Sequence, residues 1–261
     1  MKKNVKAIIA AISASIMCAV PVAASFASTA ATTSLTAQAL SDWEIWENTE
    51  DVVYDAQHAG FTNDQSKVIC YSLVYVISVE PDGRHVAKLE GRYNPVADLE
   101  LPDKLRVDGS EWEITEILDE ACYRQSSVRS LKGGKYLEKI GDRAFAYSGI
   151  NKLEINSKKI EIGFDAFYDG YLRTVKLPGD AIIKDRAFMW NNYLRTVDFF
   201  CNDGDNYNTP VYVGHNALKN CTSLEAFRTP RQRRMLFLYR DSFTNCPNNY
   251  NSSGFFYSYN D

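Results

Sequence analysis

The chain has 261 residues, enough for one large domain or two small ones. Apolar residues make up 45% and aromatics 13%, which supplies a core and excludes wholesale disorder. With 29 basic against 33 acidic side chains the formal charge is −4, and a uniformly acidic chain makes a poor nucleic-acid binder.

Lys2, Lys3 and Lys6 precede an uncharged, mostly apolar run, Ala7 to Val20. Small residues follow, and Ser25-Phe26-Ala27 fits a small-x-small cleavage site, so residues 1–27 read as a secretory signal cut after Ala27. Cuts after Ala30 or Ala39 are the alternatives. The apolar run is short for a membrane span, and no other long one follows. Loss of three lysines would leave 26 basic and 33 acidic residues, a charge of −7. The expected location is therefore secreted or extracellular at the cell surface. The five cysteines then left (Cys70, Cys122, Cys201, Cys221, Cys246) are an odd number, which argues against a disulfide framework.

Residues 28–41 are rich in Ala, Ser and Thr and read as a disordered linker. Residues 42–94 read as an N-terminal cap. Ser41-Asp42 starts a short helix reaching about His58. Val68 to Ile77 reads as one strand, Pro81-Asp82-Gly83 as a turn, and His85 to Leu89 as the returning strand of a β-hairpin over the first repeat's open edge.

From Ile117 onward one frame recurs: an aliphatic residue and, four positions later, a small residue usually followed by an aromatic. The small residues are Ala121, Ala144, Ala166, Ala187, Ala217 and Ser242, separated by 23, 22, 21, 30 and 25 positions. Next to them stand Cys122, Phe145, Phe167, Phe188, Leu218 and Phe243. Apolar triplets such as Ile150/Leu153/Ile155 and Leu172/Val175/Leu177 follow, with the period-two alternation of a strand. Pro178 and Pro230 are expected to end two of these strands. Before each anchor lies a second short apolar stretch, as in Lys159-Ile160-Glu161-Ile162. The expected architecture is mainly β: a solenoid of about six units of 21–30 residues over 95–247, with phenylalanines in one spine. Gly141, Gly163 and Gly214 are expected to carry positive φ in the turns.

Ile162-Gly163-Phe164-Asp165-Ala166-Phe167, with Leu172, Val175, Leu177 and Pro178, resembles the repeat of the BspA-like leucine-rich repeat family. That repeat reads Ile-Gly-x-x-Ala-Phe-x-x-Cys-x-x-Leu-x-x-Val-x-Leu-Pro. Ile140-Gly141-Asp142-Arg143-Ala144-Phe145 is similar. Lys184 stands where the pattern has Gly, and Cys122 and Leu218 where it has Phe. The resemblance implies bacterial secreted or surface proteins, some of which bind host proteins or other cells.

Several residue groups are candidates for function. Lys132, Glu154, Lys176, Asp198 and Arg228 sit at the middle of successive repeat strands with alternating sign. They form either a self-neutralising ladder or a polar binding face. Arg231, Arg233 and Arg234, with Arg228 and Arg240, are the one basic cluster, either a solvated loop or a docking patch. Cys221 and Cys246 share a column with Gln125, Ser148, Gly170 and Asn191, which reads as turn packing or as a disulfide between adjacent turns. The insertion Asn202-Asp203-Gly204-Asp205-Asn206 reads as a polar turn, since Val213 stands where a calcium loop needs an acid. Trp43, Trp46, Tyr250, Phe255, Phe256 and Tyr257 read as end caps or glycan-stacking rings, within and beyond a tail of 248–261.

His58, His85 and His215 are scattered, so no metal site, cofactor site or catalytic triad is expected. The expected function is a non-enzymatic recognition or adhesion module for an extracellular protein or glycan, not for nucleic acid. The alternatives are a parallel β-helix enzyme acting on polysaccharide and a structural component of the cell envelope.

Overall fold

Short runs of β-branched and aromatic residues at alternate positions make strands of nearly every apolar stretch. The computed structural model describes residues 50–60, 65–200, 211–228, 236–239, 241–247 and 257–258. The expected signal sequence (1–27) and linker (28–41), Trp43, Trp46, the 202–206 stretch, Arg231, Arg233, Arg234, Arg240, Tyr250, Phe255 and Phe256 lie outside them.

The first strands are β1 (Val53–Asp55), β2 (Gln57–His58), β3 (Lys67–Cys70), β4 (Leu73–Val79) and β5 (His85–Arg92). After them come β6 (Asp98–Glu100), β7 (Lys104–Val107) and β8 (Ser110–Ile117). The repeats then supply strands alternately to two sheets. One receives β10 (Lys139–Ile140), β12 (Lys159–Ile162), β14 (Asp180–Ile183), β16 (Val211–Val213) and β18 (Leu236–Leu238), with β19 (Tyr257–Ser258) after them. The other receives β9 (Ser130–Gly133), β11 (Lys152–Ile155), β13 (Thr174–Pro178), β15 (Thr196–Phe200) and β17 (Ala226–Arg228). Among the described residues the first sheet has 13 strands and the second six, in the order β17-β15-β13-β11-β9-β6. All repeat strands pair in parallel with the same strand of the neighbouring unit.

The N-terminal helix is not found in the described part of its range: residues 53–58 form β1 and β2. The cause is a distant partner. Val53–Asp55 pairs in parallel with Lys104–Arg106. Buried Asp103 accepts the Val52 N–H at 2.8 Å and the Lys135 N–H at 2.8 Å. The stretch Val68 to Ile77 is likewise two strands and not one. Tyr71 and Ser72 take φ of 45° and 69°, and fold β3 back on β4 in a two-residue turn. The hairpin over Pro81-Asp82-Gly83 joins β4 to β5, and β5 lies parallel against β8.

The anchors form one file. The N–H groups of Cys122, Phe145, Phe167, Phe188 and Leu218 donate to the carbonyls of Ala144, Ala166, Ala187, Ala217 and Ser242, all at 2.7–2.8 Å. Every anchor is buried. A larger side chain would push neighbouring turns apart, which is why the column is small. Behind it the rings of Phe145, Phe167 and Phe188 stack at 5.3 Å, within 5° of parallel. Val128, Ile150, Leu172, Leu194 and Leu224 are fully buried beside them. Gly133 lacks the apolar side chain its repeat position calls for, because Leu137 fills that space: a Cβ there would come within 2.7 Å of Leu137 Cδ2.

Positive φ falls on other residues than the glycines named above. It falls one position before the anchor (Glu120, Arg143, Asp165, Arg186, Asn216) and three after it (Arg124, Tyr147, Asp169, Trp190, Asn220, Asn245), between 49° and 67°. Main-chain bonds to the next turn hold these residues, as with Arg143 N–H to Phe164 O at 2.9 Å and Tyr147 N–H to Tyr168 O at 2.8 Å. Gly141, Gly163 and Gly214 serve close approach instead. The Asp119, Asp142 and Asp185 carboxylates reach over to accept the N–H of Asp142, Phe164 and His215 at 2.8–2.9 Å. A Cβ on the glycine beside each would lie within 2.5 Å of an atom of that aspartate. Lys184 is tolerated in the same column because the preceding turn has Phe164 in place of Asp, and the Lys184 ammonium lies 5.3 Å from that ring's centre. Gly163→Ala should therefore cost about 1–3 kcal/mol by overpacking, while Lys184→Ala should cost under about 0.5 kcal/mol. Urea denaturation of both variants checks this, and equal losses would contradict it.

Pro178 ends β13 as expected: it is the last residue of the strand, and the pairing with β15 stops there, opposite Phe200. Pro230 lies outside the described residues.

Candidate binding face

The outer face of the six-stranded sheet is polar because each strand buries its alternate residues. β9 turns Ser130 and Lys132 outward, β11 Lys152 and Glu154, β13 Thr174 and Lys176, β15 Thr196 and Asp198. The midpoint column read from the sequence is in register: Lys132 faces Glu154, which faces Lys176, then Asp198, then Arg228. Its charges engage across the ladder at one step among the described residues, Arg228 to Asp198 at 2.9 Å. Glu154 turns along its own strand to Lys152, at 3.2 Å. The expected self-neutralising ladder is thus made at one rung, and among the described residues Lys132 and Lys176 stand exposed without an ion pair.

One further column borders this face and escaped the sequence reading. Arg129, Asn151, Arg173 and Arg195 follow one another through main-chain bonds of 2.8–2.9 Å. The three arginines are exposed. Beside them Tyr171 and Tyr193 stack at 5.9 Å and 15°. A signal for this was present: Tyr-Leu-Arg-Thr-Val occurs at 171–175 and again at 193–197. Around the turn, Tyr123, Tyr147 and Tyr168 form a second aromatic line, with ring centres 5.8 Å and 5.5 Å apart.

The cysteine column is a turn-packing position. Buried Asn191 donates to Phe167 O at 2.7 Å and Phe188 O at 3.0 Å, and accepts Leu172 N–H at 3.2 Å. The Cys221 thiol reaches Phe188 O at 3.3 Å, and the Cys246 thiol Leu218 O at 3.1 Å. Both are free thiols, as are Cys70 and Cys122. Burial pushes Cys122 up to about 12 and Cys70 and Cys246 up to about 11. It lifts Cys221 well above the usual thiol range. A thiolate is the reactive species, so native protein treated with iodoacetamide at pH 8 should leave these four unmodified, and denatured protein should label all four. A linked Cys221–Cys246 peptide on mapping would contradict the assignment.

No group of three His, Cys, Asp or Glu is arranged to hold a metal ion among the described residues. Among them no helix is long and apolar enough to cross a membrane.

The family described as BspA type leucine-rich repeat region matches residues 115–250 in six copies. No curated protein matches the chain. Solved structures do. A leucine-rich repeat protein from Bacteroides capillosus is 14% identical, covering 66% of this chain and 98% of that one, with a TM-score of 0.35. The pneumococcal vaccine antigen PcpA is 16% identical over 71% of this chain and 43% of its own, with a TM-score of 0.41. A leucine-rich repeat protein from Bacteroides ovatus is 15% identical over 67% of this chain and 50% of its own, with a TM-score of 0.35.

Proposed function

This chain belongs to the BspA type leucine-rich repeat family, and from that premise we propose that it is an exported, non-enzymatic recognition module whose binding face is the outer surface of the six-stranded sheet. In this reading residues 1–27 direct export and 28–41 link. Residues 42–94 close the first edge of a solenoid of about six units over 95–247, and 248–261 form its tail. The product is secreted or held at the cell surface, where it engages an extracellular protein or glycan. The Lys2/Lys3/Lys6 start and the apolar run after it support export.

One observation carries the choice of face. On this face Lys132 and Lys176 stand exposed with no ion pair among the described residues, whereas Lys139, Lys159 and Lys184 beside the other sheet are paired, and the main-chain file through the anchors holds these outward columns as a rigid array at about 4.8 Å per strand. A preorganised surface loses little entropy on binding.

The test is a panel of immobilised extracellular matrix proteins and of charged and neutral glycans, probed with residues 28–261 and with Lys132→Glu/Lys176→Glu. Binding to a panel member, lost in the double variant, is the expected result. Binding unchanged in that variant would overturn the choice of face. Release of sugars with no stable binding would overturn the non-enzymatic reading.

A further inference from the structure

The two sheets differ in how they treat their surface charge. On the 13-stranded sheet the outward lysines are matched. Lys139 meets Glu116 at 2.6 Å, Lys184 meets Glu161 at 2.6 Å, and Lys159 meets Glu138 at 3.6 Å. On β9, β11, β13, β15 and their leading residues the balance is different. Six bases stand there (Arg129, Lys132, Lys152, Arg173, Lys176, Arg195) against two acids, Glu154 and Asp198. Among the described residues Arg129, Lys132 and Lys176 have no ion pair. Arg195 reaches Glu225 at only 3.9 Å, both exposed. In a chain of net charge −4 this is a positive strip over four central turns, bounded by Asp98 and Glu100 of β6, where Glu100 faces Lys132, and by Glu225 ahead of β17.

From this strip we propose a binding site for a linear anionic glycan, one carrying sulfates or carboxylates, laid along the stack of strands across Arg129, Arg173 and Arg195. The inference rests on the reading of this sheet as the binding face and names its ligand class. A polyanion running along the stack meets a base on three of four successive turns, and Asn151 fills the fourth with a neutral hydrogen-bonding group. Guanidinium groups hold sulfate or carboxylate oxygens through paired N–H donors. Thr174 and Thr196, in register on the same strands, supply hydroxyls for sugar oxygens.

The tyrosines discriminate between polyanions. Tyr171 and Tyr193 are 56% and 52% exposed but stack on each other, and the Arg173 guanidinium lies 5.9 Å from the Tyr193 ring centre. Each ring turns one face to the other, so one face of each is closed by the pair. Single-stranded nucleic acid binds by stacking bases on open ring faces, and the pair leaves fewer of these; the tyrosine hydroxyls suit a sugar's hydroxyls.

The experiment uses heparin as the probe, with dextran, poly-glutamate and a DNA oligonucleotide as comparators, and reads affinity by calorimetry at low salt. Heparin should bind the protein, weaken as salt is raised, and bind Arg173→Ser/Arg195→Ser about tenfold more weakly. Arg173→Lys/Arg195→Lys keeps the charge but loses the paired donors, so its affinity should fall between the parent and the serine variant, and the melting temperatures of all three proteins should agree. No heparin binding, or equal affinity in the serine variant, would overturn the site. Poly-glutamate or DNA binding as tight as heparin would overturn the glycan assignment. Binding of a matrix protein lost in Lys132→Glu/Lys176→Glu would leave the recognition reading standing in each of those cases, so the two failures are distinguishable.

Discussion

Phe167→Ala should lower the unfolding free energy by about 3–5 kcal/mol, the cost of deleting a fully buried phenyl ring. The ring is fully enclosed and stacks on Phe145 and Phe188, both at 5.3 Å. Two neighbouring turns therefore lose a contact at once. The hole cannot collapse, because the bonds of Phe145 N–H to Ala166 O and Phe167 N–H to Ala187 O hold the turns at fixed separation. Phe167→Leu keeps most of the volume and should cost under about 2 kcal/mol. Urea midpoints with slopes checked for constancy measure both. A loss below about 1 kcal/mol for the alanine variant would show that the spine does not carry the stack.

Asn191→Leu should cost about 2–5 kcal/mol although it replaces a polar residue by an apolar one in a buried place. The amide closes three main-chain groups, Phe167 O, Phe188 O and Leu172 N–H. Phe188 O keeps other donors, including the N–H of Asn191 itself. Phe167 O and Leu172 N–H would be left buried without partners, at about 1–3 kcal/mol each. Asn191 is needed because the preceding turn has Gly170 in this column, with no side chain of its own. A Cβ on Gly170 would lie 2.9 Å from Asn191 Oδ1. Asn191→Cys, which mimics the thiols of Cys221 and Cys246, should recover part of the loss. A leucine variant as stable as the parent would contradict the role assigned to the amide.

The repeat was legible because three signals coincide in the first five units: the aliphatic, the small anchor four positions on, and the strand triplet after it, incomplete at Gly133 and Thr229. That coincidence places Ala121 to Ser242 in one file and Phe145, Phe167 and Phe188 in one spine. The N-terminal strands were not legible in the same way. Val53–Asp55 is a strand only because Lys104–Arg106 lies beside it, some fifty residues away in sequence. The turn at Tyr71-Ser72 contains no Gly, Asn or Pro, so nothing local separates β3 from β4. The glycines misled for a different reason. Gly141, Gly163 and Gly214 mark crowding by the aspartate of the preceding turn, a contact between turns that residue type alone does not reveal. The positive φ values sit on Arg143, Tyr147 and their equivalents because the ladder on both sides imposes them.

The midpoint column Lys132 to Arg228 was legible by counting along the strands. Its pairing was not, since Glu154 chooses Lys152 on its own strand over either neighbour across the ladder. Arg129, Arg173 and Arg195 fall just ahead of their strands, at positions that strand periodicity does not flag.

Native-state hydrogen exchange tests the central claim most directly. The amides of Cys122, Phe145, Phe167, Phe188 and Leu218 each bond to the next turn. If the turns lock together as one cooperative unit, these five should exchange only through global unfolding, with nearly equal protection. Protection that scatters from one of these amides to the next, or exchange as fast as at Gly83 in its exposed turn, would show that the turns do not hold one another in register.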